Sequence, residues 1–152
     1  MIRTLVIAAL LASPAAAQTP GAAYAEVAAA LAALMTSINT NDADGFLALQ
    51  QPGTLVQIKR FKPDGSSSLD IVPAADFATR MRARKGTAVD ERLVDPQILI
   101  TRDFAHVWAP YSIDIAGKRS HCGVDSFGFI KNGGKWLLTS LAWTADPMGC
   151  PK

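Results

Sequence analysis

The chain has 152 residues, 49% of them hydrophobic and 18% charged, with 15 Lys and Arg against 13 Asp and Glu. That length fits one domain with a real core. A formal charge of +2, with no aromatic residues interleaved on a basic face, argues against nucleic acid as a partner. No His-Glu-x-x-His, Cys-x-x-Cys or clustered-carboxylate pattern points to a metal, and no Gly-x-Ser-x-Gly elbow or phosphate-cradling glycine loop to common hydrolase or nucleotide chemistry, so no cofactor is expected.

The chain starts with Arg3 ahead of the apolar run Leu5 to Ala12, and Ala15-Ala16-Ala17 then gives a small-x-small cleavage pattern. This predicts a signal peptide over residues 1–17, cut after Ala17, leaving one domain over 18–152 in the periplasm or outside the cell. The run is too short to span a bilayer, no cysteine sits at the cleavage site for lipidation, and no second such run is read further on, so no membrane anchor is expected. Loss of Arg3 takes the formal charge from +2 to +1. Cys122 and Cys150 both fall in the exported part, where an oxidising compartment favours a disulfide between them.

From Ala22 to Thr40 an alanine-rich helix carries Val27, Leu31, Leu34, Met35 and Ile38 on one face. Asp42 reads as the N-cap of a short second helix with Phe46, Leu47 and Leu49, which stops before Pro52-Gly53. Thr54 to Phe61 and Ser68 to Val72 read as strands about the turn Pro63-Asp64-Gly65-Ser66. Pro73 opens a third helix with the core stripe Ala74, Phe77, Ala78 and Met81, ended by Gly86. Arg80, Arg82, Arg84 and Lys85 read there as cations opposing the partial charge of the last carbonyls. Four strands follow, Glu91 to Thr101, Phe104 to Ile115, Arg119 to Lys131 and Lys135 to Thr144. Turns at Arg102-Asp103, Ala116-Gly117 and Asn132-Gly133-Gly134 make them an antiparallel meander.

This order, with Asp42-Ala43-Asp44-Gly45-Phe46, Asp103-Phe104-Ala105-His106-Val107-Trp108, Cys122-Gly123-Val124-Asp125-Ser126-Phe127 and Gly133-Gly134-Lys135-Trp136, resembles the nuclear transport factor 2-like superfamily, also called SnoaL-like. The resemblance implies an α+β conical roll, its N-terminal helices packed on a curved antiparallel sheet around a pocket, often dimeric through the sheet's outer face. None of the catalytic sets of that fold's enzymes matches this chain residue by residue, so the pocket carries over and the residues do not.

Strand register places candidate chemistry. A two-residue turn at Ala116-Gly117 sets Asp114 opposite Arg119, Ser112 opposite His121, Trp108 opposite Asp125 and His106 opposite Phe127. The same parity puts Trp136, Leu138, Ser140, Ala142 and Thr144 on that face. Phe104, Phe127, Phe129, Trp136 and Leu138 would form an apolar bottom, and Ser112, Asp114, Arg119, His121 and Thr144 a polar mouth. Asp125 and His121, about 13 Å apart on one strand, are the candidate catalytic residues, either of them as general base. Trp108, Ser112, Ser140, Phe127 and Phe129 are the candidate ligand-binding residues. His106, about 20 Å from the level of His121, reads as a core histidine, and Asp114 with Arg119 as an exposed ion pair. The opposite face, with Tyr111, Ile113, Cys122, Leu141 and Trp143, is too apolar for water and would be covered by the tail with Cys150 and by a second subunit. Two functions fit: a module holding a small apolar ligand or a partner, or a cofactor-independent lyase, isomerase or hydrolase acting on a small hydrophobic molecule.

Overall fold

The computed structural model describes residues 21–151, so the expected leader over 1–17 and its cleavage after Ala17 lie outside the described residues. Three helices, α1 (Ala22–Asn39), α2 (Ala43–Ala48) and α3 (Ala74–Ala83), accompany seven strands. These are β1 (Gln50–Phe61), β2 (Ser67–Pro73), β3 (Val89–Leu93), β4 (Gln97–Thr101), β5 (Phe104–Ile115), β6 (Lys118–Asn132) and β7 (Lys135–Ala145). All join one sheet in the order β2-β1-β7-β6-β5-β3, with β4 also on β5. The meander is antiparallel throughout, and β1 closes it by running parallel to β7.

Local chemistry explains the breaks. The Asp42 side chain accepts from Gly45 N–H at 2.9 Å and caps α2, a contact of the kind that contributes roughly 1 kcal/mol. Pro73 serves as the N-cap of α3 and not as its first turn. Ala116 and Gly117 both take positive φ, 51° and 73°, as a tight hairpin turn of type I′ requires. The stretch expected as one strand, Glu91 to Thr101, is two: Asp95, at φ 44°, turns the chain between β3 and β4.

Helix α1 is long and apolar enough to cross a membrane by length and composition alone, contrary to the expectation that no second run of that kind follows the leader. Its alanines supply that character, while Val27, Leu31 and Leu34 are buried in the core. Phe46, Val56, Ile58, Phe77, Met81, Phe127, Phe129 and Leu138 complete that core between the helices and the concave side of the sheet.

Two β-bulges decide which side chains face inward. Asp114 pairs with Arg119 as expected, but Ile113 pairs with His121, so Ser120 is an extra residue in β6. Its hydroxyl meets His121 Nδ1 at 2.9 Å. Farther on, Gly128 pairs with Ser140 while Phe129 pairs with Leu138, which leaves Thr139 extra in β7. The Thr139 hydroxyl donates to the Gly128 carbonyl at 3.0 Å. Each bulge inserts one residue, and a one-residue slip reverses the facing of everything beyond it.

The register expected beyond Ser120 is therefore corrected. Trp108 lies opposite Ser126, Ser112 opposite Cys122 and His106 opposite Gly128, all on the convex side. Ser140 joins them, opposite Gly128, and Ala142 opposite Ser126. The strands' concave residues are Val107, Ala109, Tyr111 and Ile113 on β5, with Leu141 and Trp143 on β7, the reverse of the expected arrangement. On β6 the expected facing holds, with His121, Asp125, Phe127 and Phe129 inward.

Candidate functional site

A cavity of about 380 Å³ opens between α3 and the concave sheet. Ile58, Phe77, Ile113, Leu141 and Trp143 make its apolar walls, while Arg60, Arg80, Arg84, Glu91, His121 and Asp125 bring polar groups into it. The volume falls at the small end of the range for ligand sites, and an apolar lining with a few convergent polar groups is their usual composition.

Asp125 is the deepest charged group, 2% exposed. Trp143, directly opposite on β7, gives it the aromatic neighbour that the sequence had assigned to Trp108. The Glu91 carboxyl lies within hydrogen-bonding reach of it. Asp125 Oδ2 is fully buried and finds no donor among the described residues. Two carboxyls so placed cannot both be ionised comfortably. Burial and the Glu91 charge push Asp125 well above the usual carboxylate range, and burial raises Glu91 as well. The hydrogen bond with Asp125 and the Arg84 charge pull Glu91 back toward ionisation, so of the two Asp125 keeps its proton to the higher pH.

Glu91 owes its position to a two-point clamp. The Asn39 side chain, at the end of α1, donates to the Glu91 carbonyl at 3.0 Å and accepts from the Glu91 N–H at 2.8 Å. Along β3 the period of two then turns Val89, Glu91 and Leu93 to the same side.

Burial and the Arg60 charge lower the His121 imidazole below its ordinary value, which keeps it neutral at pH 7. Its ring meets Tyr111 edge to face at 5.8 Å. Tyr111 is held protonated by burial and by the Asp125 and Glu91 charges, and its hydroxyl donates to the Thr144 carbonyl at 2.9 Å. At the rim, Arg60 and Arg80 flank Asp70 at 3.7 and 3.6 Å.

The structure thus brings the two candidate catalytic residues, Asp125 and His121, into one cavity. Phe127 and Phe129 point inward but are consumed in the core beneath it. Trp108, half exposed at 50%, lies on the convex side in a shallow groove with Leu69, Val124 and Ala142. Ser112 borders a different surface depression, beside Cys122, and Ser140 faces outward, so none of these three reaches the cavity. Sequence reading missed Glu91, Arg60, Arg84 and Trp143. The alternation of Val89, Glu91 and Leu93 carried a signal for the first, and the four-residue spacing of Arg80 and Arg84 put both on one helix face.

Cys122 and Cys150 form a disulfide. It ties the end of the chain to β6, and Asp146 bridges Cys122 through a pair of backbone hydrogen bonds beside it.

No family model matches the sequence, and a comparison with curated proteins yields no match. Solved structures do match. A candidate dehydratase of the NTF2-like family from Streptomyces avermitilis superposes with a TM-score of 0.62 at 17% identity, over 84% of this chain and 98% of its own. A protein of unknown function with a cystatin-like fold from Nostoc punctiforme gives 0.62 at 17%, over 81% and 90%. The beta subunit of a candidate aromatic-ring-hydroxylating dioxygenase from Novosphingobium aromaticivorans gives 0.64 at 15%, over 82% and 89%. Three helices over a strongly curved sheet, enclosing a cavity at one end, have the fold of the nuclear transport factor 2-like, or cystatin-like, superfamily.

Proposed function

We propose that this protein is a cofactor-independent acid–base enzyme, a lyase or isomerase, for a small and largely apolar molecule held in the concave cavity. The observation that carries this reading is the Glu91–Asp125 pair in the cavity, both carboxyls raised by burial, with the buried Asp125 Oδ2 finding no donor among the described residues. A structural carboxylate is normally surrounded by donors. This one is kept apart from them, which suits a group whose task is to pass a proton.

The chemistry balances within the pair. Glu91, ionised, takes a proton from a carbon next to an electron-withdrawing group, and the electron pair moves to the adjacent bond. Asp125, protonated, gives its proton to the oxygen on which charge develops or which departs as water. In an isomerisation Glu91 returns its proton to a different carbon while Asp125 takes its own back from the oxygen, and in a dehydration the proton on Glu91 passes to the now ionised Asp125, directly or through solvent, so that water is the only by-product. Neutral His121 stands on the same wall as a hydrogen-bond donor to that oxygen.

The test uses phenylacetone in deuterated buffer, with exchange at its activated carbon followed by NMR. Exchange faster than buffer alone and abolished in both Asp125→Asn and Glu91→Gln supports the reading. Ordinary ionisation of both carboxyls in a carbon-13 titration of labelled Asp and Glu would overturn it.

Export and self-association belong to the same reading. The leader pattern at residues 1–17 and a disulfide, a bond that persists in oxidising compartments, support a periplasmic or secreted location. Trp108, Leu69, Ile71 and Leu99, all more than half exposed or close to it, support a homodimer through the convex face.

A further inference from the structure

The cavity has more positive charge than its own carboxylates balance. Arg60, Arg80 and Arg84 all line it. Opposing them are Asp70, which stands beyond hydrogen-bond distance from both Arg60 and Arg80, and Glu91, since Asp125 keeps its proton to the higher pH. Arg84 Nε is fully buried and has no acceptor among the described residues. Arg60 reaches far enough inward for its charge to be felt at both Arg84 and His121. Two guanidinium groups lining one cavity, one with an unsatisfied donor, form a site for an anion.

We propose that the substrate is a carboxylate, its anionic group seated between Arg84 and Arg60 and its apolar body against Phe77, Leu141 and Trp143. The proposal rests on the acid–base reading of the same cavity and adds to it the chemical class of the substrate. The excess is one positive charge, which matches a monocarboxylate better than a phosphate monoester carrying nearly two negative charges at neutral pH. The walls around it are mostly apolar, which suits a carboxylic acid with an aryl or branched alkyl body. Seated there, the carboxylate would share one cavity with Glu91 and Asp125.

The experiment follows the indole N–H resonance of Trp143, assigned with Trp143→Phe, during titration with phenylacetate, with its uncharged isostere phenylacetamide and with phenyl phosphate. Phenylacetate is expected to bind roughly tenfold more tightly than the amide, the order of advantage that a charge-assisted pair gives over a neutral one. Arg84→Gln and, as a second variant in case the first unfolds, Arg60→Gln should remove that preference, bringing phenylacetate down to the affinity of the amide in the same variant. Lys85→Gln, which removes a neighbouring exposed charge outside the cavity, should preserve it. Equal binding of acid and amide overturns the proposal and leaves the acid–base reading standing. Preference for phenyl phosphate, or no shift with any probe, also overturns it. An acid preference accompanied by ordinary ionisation of Asp125 would instead remove the catalytic reading alone.

Discussion

Asp125, on β6, and Glu91, on β3, come from strands 34 positions apart in sequence and on opposite sides of β5, yet meet inside a mostly apolar cavity where burial raises both carboxyls. Because folding raises both groups above their unfolded values near 4, the native state holds more protons than the unfolded chain over the range between. Stability must then be highest at the acidic end of that range and fall as pH climbs through neutrality. Asp125→Asn removes the larger part of this dependence. Melting temperatures measured from about pH 5 to about pH 9 should fall in the wild type and stay flatter in the variant, which becomes the more stable protein at the alkaline end. Parallel curves for the two would refute the raised titration of Asp125.

His121 titrates below its ordinary value because it is buried and because Arg60 repels a second positive charge. Arg60→Gln removes the second cause only. The imidazole proton signals of His121 should therefore titrate at higher pH in the variant, without reaching the free-histidine value of about 6.5. An unmoved titration would place Arg60 outside the cavity.

Gly123 on β6 pairs with Tyr111 on β5. A Cβ built on it would lie 1.9 Å from the Thr144 carbonyl oxygen, the same oxygen that accepts from the Tyr111 hydroxyl. Gly123→Ala must push β6 from β7 between His121 and Asp125. The expected loss is about 1–3 kcal/mol, as for overpacked interiors, read by urea denaturation, whereas Gly117→Asn at the exposed turn should cost far less.

The disulfide between Cys122 and Cys150 spans 28 positions, a loop for which chain entropy gives about 3 to 4 kcal/mol. Reduction, or the double replacement by alanine, should lower the unfolding free energy read by urea denaturation by that amount without moving the cavity, because Cys122 faces the convex side of β6, opposite Ser112. Unchanged stability after verified reduction would contradict this.

Trp108→Glu should leave the fold intact, since its ring stands on the convex surface, and should shift a dimer toward monomer in sedimentation. If the wild type sediments as a monomer at high concentration, the proposed self-association is wrong.

Much of this architecture was legible in the sequence. Helical spacing of Val27, Leu31 and Leu34, the cap at Asp42, the turn at Ala116-Gly117 and the cysteine pair all appear as read. So does the inward facing of His121 and Asp125, although the argument for it assumed an unbroken register. The error lay in two residues. Ser120 and Thr139 each satisfy a hydroxyl locally and so stabilise an extra residue, which no period-of-two pattern announces. As a result Trp108, Ser112 and Ser140 were placed in a cavity that Trp143 and Leu141 in fact line. Glu91 was overlooked because its partner comes from another strand, and its clamp, Asn39, from a helix far earlier in the chain.

The bulge at Ser120 has an implication for how this gene can change. Losing that one codon would keep Ile113 opposite His121 and every pair beyond it, but would join Arg119 directly to His121 and remove the kink and added twist that the extra residue gives β6 at the cavity wall. Substitutions along this strand can be absorbed side chain by side chain, but a length change cannot. Natural variants should therefore differ in composition here while keeping the same spacing from Asp114 to Asp125.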